Sequence, residues 1–143
     1  MDMRIENRDA FCLCGYAMET SEETLEKDCA TMRQQHEDKL RAISPNLYFV
    51  AWMSENGKMI YQLSVETPGD TPAGMTRVEV PAAQFAVGTV PQGESVLGAW
   101  HKFFETVEPT LGVAIDVEYP FHFEYFDDNG VCEVWSPVVK ASM

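Results

Sequence analysis

A carboxylate set among aromatic side chains is the feature of this sequence best suited to chemistry. Glu124 lies inside the run FHFEYF, residues 121–126. Burying an ionised carboxylate costs several kcal/mol unless another group compensates for the lost hydration. Either the segment is half-exposed and Glu124 faces water, or Glu124 faces a groove that takes an organic cation whose apolar body lies on the rings. Since desolvation raises the pKa of a carboxyl group, a buried Glu124 would also suit a general base.

Strand alternation divides the neighbours of Glu124 into two sets. If residues 121–126 form a strand, His122 and Phe126 share a face with Glu124, and Tyr125 points the other way. His122 is therefore the histidine placed to partner Glu124, either at a ligand or as a general acid. Tyr125 belongs either to the core or to the groove, and the sequence alone leaves both open.

Side chains on other predicted strands are candidate walls for such a groove. Tyr48 and Trp52 stand four apart on one face of a predicted strand, and Tyr61 extends that wall from the next strand. Glu133 and Trp135 share a face of the last predicted strand. For each of these residues, a place in the core or on the solvated surface is the alternative.

Two further rings lie on a predicted helix. Trp100 and Phe104 stand four apart, a spacing that suits either core packing or one edge of the groove. The candidate ligand-binding residues are Glu124, Tyr48, Trp52, Trp135, Trp100, Glu133, Tyr125, Phe104 and His122.

The sequence offers no second set of residues for catalysis or for metal binding. It contains no recognisable Ser-His-Asp set and no phosphate-binding loop. Its cysteines, Cys12, Cys14, Cys29 and Cys132, lack the paired spacing of a zinc site and are predicted to be small buried thiols. We therefore expect no metal and no cofactor. If the protein is an enzyme, Glu124 is the predicted catalytic residue.

The charge balance favours cationic partners over nucleic acid. The 143 residues include 23 acidic side chains against 10 Lys and Arg, for a net charge of -13. Phosphate binding draws most of its affinity from Lys and Arg, whereas an acidic surface attracts cations.

The sequence has no segment typical of a membrane protein. No apolar run approaches the roughly 18 residues of a transmembrane helix. Because the first residues also lack the apolar stretch of a signal peptide, we expect a cytoplasmic protein with no membrane partner.

The elements that must position these residues occur twice along the chain. The first half reads as a strand region from Arg4 to Met18, a helix from the N-cap Ser21 to Pro45, and strands 47–54 and 58–66 joined by an Asn-Gly hairpin turn.

The second half repeats this order. Residues 77–90 form a strand region broken by a proline, a helix with Ser95 as its N-cap ends at Pro109, and strands 121–126 and 131–139 follow. We expect one small-molecule-binding domain over residues 1–143, with repeat one at about 4–66, a turn-rich linker at 67–76 and repeat two at about 77–140. Two such strand-helix-strand-strand units would pair about a pseudo-twofold axis, and a groove would form where they meet.

Several short motifs occur in the order of a known family. They are the turn-rich link, the proline-containing strand 80–87, a glycine before the helix bearing Trp100, then Phe123-Glu124-Tyr125, and the segment 133–138. This order resembles the stand-alone form of the gyrase-inhibitor-like domain, which is also the effector-binding domain of multidrug-sensing transcription regulators. The resemblance implies an α+β fold with two pseudo-twofold-related repeats, an antiparallel sheet with both helices on one face, and a central groove for lipophilic, often cationic, compounds. It also implies that Glu124 is the glutamate of that groove.

Three functions are compatible with this resemblance. The leading hypothesis is binding of amphipathic, cationic small molecules, for sensing or for sequestration. An alternative is hydrolysis, since some stand-alone relatives use the same glutamate to activate water against cyclopropane-bearing compounds. A third is an acidic module that binds and protects gyrase. The sequence leaves open whether the protein acts as a monomer, as a homodimer or with a separate protein partner.

Overall fold

Two helices lie on one face of an antiparallel sheet in the computed structural model of this chain, which describes residues 1–140. Residues 141–143 of the predicted domain lie outside the described part. The elements, in chain order, are β1 (Met3–Arg8), β2 (Phe11–Thr20), α1 (Leu25–Arg41), β3 (Leu47–Met53), β4 (Met59–Glu66), β5 (Thr76–Val80), β6 (Ala83–Thr89), α2 (Val96–Leu111), β7 (Val113–Ile115), β8 (His122–Phe126) and β9 (Cys132–Lys140).

The order of the strands has the symmetry expected of a duplicated unit. It runs β1-β6-β9-β8-β3-β4-β2-β5, and β7 pairs with the end of β9. The two halves of the chain meet at β8 and β3, and each half lends its first strand to the other, because β1 pairs with β6 and β5 pairs with β2. The predicted α+β fold, with antiparallel repeats related by a pseudo-twofold axis, is confirmed.

Glu124 lies at the centre of this sheet, on the face that carries the helices. Its cross-strand partners are Phe49 on β3 and Val134 on β9. We call this side the helix face and the opposite side the far face. The helix face includes Phe49, Tyr61, Glu124 and Val134.

The sheet curls strongly around its far face. The rings of Phe11 on β2 and Phe123 on β8 are 5.6 Å apart, although β3 and β4 lie between their strands. This curvature encloses a second aromatic core, in which Phe123 stacks on Trp135 with ring centroids 5.2 Å apart. The sheet therefore has a packed aromatic core on one side, and on the other a pair of helices with space between them.

The structure corrects several predicted boundaries. The predicted N-terminal strand region is two strands, because the chain leaves β1 at Arg8 and begins β2 on the opposite side of the sheet. Thr24, not Ser21, precedes the first residue of α1. Pro109 lies inside α2, which continues to Leu111 and ends where Gly112 adopts a left-handed conformation with φ of 69°. A proline near a helix end removes one hydrogen bond without stopping the last turn.

Two other local predictions hold. Ser95 is the N-cap of α2, since its hydroxyl accepts a hydrogen bond from the Gly98 N–H at 3.0 Å. The Asn56-Gly57 turn joins β3 to β4, with Gly57 at φ of 76°. No helix in residues 1–140 is both long and apolar enough to span a membrane.

Candidate functional site

Glu124 is a buried carboxylate held by two aromatic donors. Its side chain is on the helix face of β8, and the residue is only 3% exposed. The indole N–H of Trp100 donates to Glu124 Oε2 at 2.8 Å, and the Tyr61 hydroxyl donates to the same oxygen at 3.1 Å. One donor comes from α2 and the other from β4, so both halves of the chain fix this carboxylate.

No positive charge neutralises Glu124 within the described part of the chain. It makes no ion pair with any Lys or Arg of residues 1–140. Both of its hydrogen bonds fall on Oε2, and Oε1 makes none with these residues. The second oxygen therefore retains its lone pairs for another partner.

Burial dominates the electrostatics of this group. Desolvation raises the pKa of Glu124 from 4.5 to about 7, although the hydrogen bonds from Trp100 and Tyr61 act in the opposite direction. Burial and the neighbouring Glu124 charge also raise the pKa of the Tyr61 hydroxyl, so Tyr61 stays protonated and keeps donating. Near neutral pH, a bound ion would therefore change the protonation of Glu124 and leave Tyr61 protonated.

Glu124 lines one of the cavities on the helix face. This cavity has a volume of about 350 Å³ and is also lined by Cys29, Phe49 and Phe126, with the charged side chains of Glu26, Arg33 and Glu94. We call it the carboxylate cavity. Burial, the largest cause, raises the pKa of the Cys29 thiol to about 12, so this cysteine is protonated and is no nucleophile at neutral pH.

The second cavity has walls made mainly of rings. Its volume is about 370 Å³, and its aromatic lining residues are Tyr61, Trp100, Phe104 and His122. We call it the aromatic cavity. Leu25 of α1 and Leu97 of α2 line both cavities, and so they lie between the two spaces. At the outer edge of the aromatic cavity, exposed Glu22 and His101 contact each other at 3.0 Å.

The rings of the aromatic cavity are arranged to receive a flat or apolar body. Phe104 stacks on Trp100, with centroids 5.3 Å apart and planes within 20°, and remains 44% exposed. The His122 ring stands edge-on to both of them, at 6.1 Å from Trp100 and 6.0 Å from Phe104. An exposed aromatic ring beside a cavity is a typical feature of a ligand site.

Comparison with protein-family profiles identifies the family of this chain. The profile of the Cass2 family, integron-associated effector-binding proteins, matches residues 4–138. The chain is a member of this effector-binding family. A comparison with curated protein sequences gave no match.

Solved structures carry the same fold at low sequence identity. The chain is similar to SAV2435 bound to tetraphenylphosphonium, with 14% identity over 97% of this chain and 94% of that one, and a TM-score of 0.75. An integron cassette protein from the mobile metagenome of Vibrio cholerae gives 12% identity, 96% and 95% coverage, and a TM-score of 0.64. A hydrolase from Listeria innocua gives 10% identity, 96% and 91% coverage, and a TM-score of 0.56.

Part of the predicted site of this effector-binding domain assembles around Glu124. Trp100 donates directly to the carboxylate, while Phe104 and His122 line the adjoining aromatic cavity. Alternation correctly placed His122 on the same face as Glu124. Their roles in binding remain predictions.

Five other predicted site residues lie on the far face. Tyr125 points away from Glu124 as alternation predicts, and the expectation that the other four share a groove with Glu124 is corrected. The reason is the register of β8 with its neighbours, which puts Phe49 and Val134 opposite Glu124 and turns the even-numbered residues of β3 and the odd-numbered residues of β9 away. The residues concerned are Tyr48, Trp52, Tyr125, Glu133 and Trp135.

These far-face residues already have partners. Tyr48 and Trp135 are buried in the aromatic core, and Arg8 stacks over Phe11 at 3.6 Å beside them. Glu133 forms an ion pair with Arg4 at 2.9 Å and accepts a hydrogen bond from the Trp135 indole at 3.2 Å. Side chains of this face fill most of it, and Arg4 neutralises its predicted acidic site residue, Glu133. Trp52 is the exception, since it lines a cavity of about 380 Å³ that His122 also lines.

Tyr61, which donates to Glu124, lies on the face opposite to the one predicted from the sequence. The sequence predicts that it shares a wall with Tyr48 and Trp52, but its cross-strand partner is Ala51, on the helix face. The Asn56-Gly57 turn contains the missing signal. Pairing outward from that turn sets Met53 opposite Met59 and Ala51 opposite Tyr61, which gives Tyr61 the same face as Phe49.

Proposed function

We propose that this protein binds amphipathic, cationic small molecules on its helix face, with Glu124 as the counter-charge, and so acts in sensing or sequestering such compounds. The observation that carries the proposal is the state of Glu124. It is 3% exposed, receives hydrogen bonds only on Oε2, and has no ion-pair partner among residues 1–140. A cation in the carboxylate cavity would supply the missing charge.

The electrostatics favour a cation over a neutral guest. A buried carboxylate interacts with an adjacent positive charge far more strongly than an exposed one, because little water screens the pair. The net charge of -13 draws cations towards the protein before they reach the groove. Trp100 and Tyr61 keep Oε2 occupied, which leaves Oε1 to face the ligand.

The shape and lining favour an amphipathic ligand. Each cavity, at about 350–370 Å³, is within the range of small-molecule sites. The aromatic cavity would take the apolar body against Trp100 and Phe104, and the charged centre would lie towards Glu124. Leu25 and Leu97 line both spaces, so movement of these side chains would help one ligand to use both. The relative SAV2435 was solved with tetraphenylphosphonium, a cation of this type.

Calorimetric titration with tetraphenylphosphonium tests this proposal. Wild-type protein should bind it, and Glu124→Gln should weaken binding by about 10- to 100-fold, since the substitution removes a buried charge and keeps the side-chain shape. Glu133→Gln is the matched control, because Glu133 lies on the far face beside Arg4. The proposal fails if wild-type protein does not bind, or if the two substitutions have the same effect.

The pKa of Glu124 supports hydrolysis as a second candidate. A carboxyl group with a pKa of about 7 is well matched to general-base catalysis at neutral pH, and Oε1 is free to accept a proton from water. The substrate would be a strained electrophile such as a cyclopropane. Turnover that Glu124→Gln abolishes while substrate binding persists would favour this activity, whereas binding without turnover would favour the ligand-binding function alone.

A further inference from the structure

One ring nitrogen of His122 is held and the other is free. Nδ1 lies 2.9 Å from the hydroxyl of Ser136, a fully buried residue on β9. This contact fixes the plane of the imidazole, which stands at 90° to the Trp100 ring and at 85° to the Phe104 ring. Nε2 makes no hydrogen bond with any residue of the described chain. His122 lines the aromatic cavity and also a neighbouring cavity of about 380 Å³ that Trp52 and Glu118 line.

Nε2 is therefore a polar atom without a hydrogen-bond partner, on a side chain that lines the aromatic cavity. The other polar atoms on the inner lining, the Tyr61 hydroxyl and the Trp100 N–H, already donate to Glu124. Glu22 and His101 contact each other at the outer edge. Burial lowers the pKa of His122, so its ring is neutral at neutral pH. A neutral imidazole presents one donor and one acceptor, and Nε2 is one of these whichever tautomer Ser136 selects.

We infer that His122 determines specificity, and that the groove prefers cations whose aromatic body carries a neutral hydrogen-bonding group such as a hydroxyl. Because the charged centre is assigned to Glu124, this preference rests on the proposed function. His122 and Glu124 are two residues apart on one face of β8, a separation of about 6.5 Å along a strand. The polar group should therefore lie roughly one ring away from the charge.

The physical reason for selection is the desolvation of Nε2. A ligand whose body is purely hydrocarbon excludes solvent from Nε2 and leaves it without a partner. A hydroxyl at the same position replaces the lost hydrogen bond, and it serves as donor or acceptor for either tautomer. Sites of this kind discriminate against analogues that lack the polar group.

Two isosteric phosphonium ions test this preference. (4-Hydroxymethylphenyl)triphenylphosphonium and (4-ethylphenyl)triphenylphosphonium differ by exchange of a hydroxyl for a methyl group. Wild-type protein should bind the hydroxymethyl compound about 2- to 10-fold more tightly, the range expected for one neutral hydrogen bond. In the double variant His122→Phe, Ser136→Ala the two affinities should become equal. This variant keeps an aromatic ring beside Trp100 and leaves no buried hydroxyl without a partner.

The outcomes separate this inference from the proposed function. If tetraphenylphosphonium binds but wild-type protein does not distinguish the two isosteres, His122 sets no specificity and only the inference fails. A preference that persists in the double variant also overturns it. If no phosphonium ion binds, the proposed function and the inference fail together. If the double variant does not fold, the wild-type comparison still tests the preference itself, and the single variant His122→Phe tests whether His122 causes it.

Discussion

The indole N–H of Trp100 lies 2.8 Å from Glu124 Oε2 and joins the second helix to the centre of the sheet. Trp100 is itself only 7% exposed, and Phe104 stacks on its outer side. One residue therefore both stabilises the charge of Glu124 and forms a wall of the aromatic cavity. Any change at Trp100 should alter the charge of the site together with its shape.

Trp100→Phe should weaken tetraphenylphosphonium binding at neutral pH and much less at pH 9. The indole hydrogen bond lowers the pKa of Glu124, so its loss should move that pKa further above 7 and leave more of the carboxyl group protonated. A hydrogen bond to a charged group is worth about 1.5–3 kcal/mol, which predicts a loss of roughly tenfold or more in affinity at pH 7. Calorimetry at both pH values would measure it. An equal loss at both would mean that Trp100 contributes packing alone.

Cation binding should release a proton near neutral pH. The cation favours ionised Glu124, whose pKa is about 7 in the empty site, so affinity should fall about tenfold per pH unit below that value and level off above it. Burial moves the pKa values of neighbouring groups away from 7, since it raises those of Tyr61, Cys29 and Cys132 and lowers that of His122.

The proton count can be measured by calorimetry in buffers with different ionisation enthalpies. Close to one proton should be released per cation at pH 6 and almost none at pH 8. Glu124→Gln should release none at either pH. If the Glu124→Gln variant still releases a proton on cation binding, the proton comes from another group.

Glu124→Gln should stabilise the protein at high pH. The pKa of Glu124 is raised from 4.5 to about 7 on folding, so its contribution to stability is fully present below pH 4.5 and is lost as pH rises through 7. The loss amounts to ~3 kcal/mol at most. Glutamine stays neutral throughout, so urea denaturation should give a variant more stable than wild type at pH 8, with a smaller gap at pH 5. A gap independent of pH would contradict this, and Glu133→Gln is the control.

Much of the fold could be predicted because its signals are local. The Asn56-Gly57 turn specified the β3–β4 hairpin, and the residues after Ser95 specified the start of α2. Alternation alone was enough to put His122 beside Glu124. Each of these features depends on a few residues that are close in sequence, and their conformational preferences specify the local structure without long-range contacts.

The walls of the site could not be predicted because they depend on a non-local register. Strands β3 and β8 are about 75 residues apart in the chain, and no turn fixes their alignment. A shift of one residue would have put Tyr48, instead of Phe49, on the face of Glu124. The register between β3 and β8 is set by burial of both faces of the sheet at once. On the far face, the sequence pattern of an aromatic core is the same as that of a ligand groove, so the sequence cannot tell the two apart.

Leu97→Ala should strengthen the binding of bulky cations. Leu97 is half-buried at the start of α2 and, with Leu25, lines both cavities, so its truncation should widen the space between the aromatic and carboxylate cavities before the ligand arrives. We expect a cost of about 2 kcal/mol in folding stability and a gain of about threefold or more in affinity for tetraphenylphosphonium. Leu111→Ala is the matched control, since Leu111 is a half-buried leucine at the other end of the same helix. Equal affinities for the two variants, measured by calorimetry, would mean that Leu97 does not separate the charge of Glu124 from the aromatic wall.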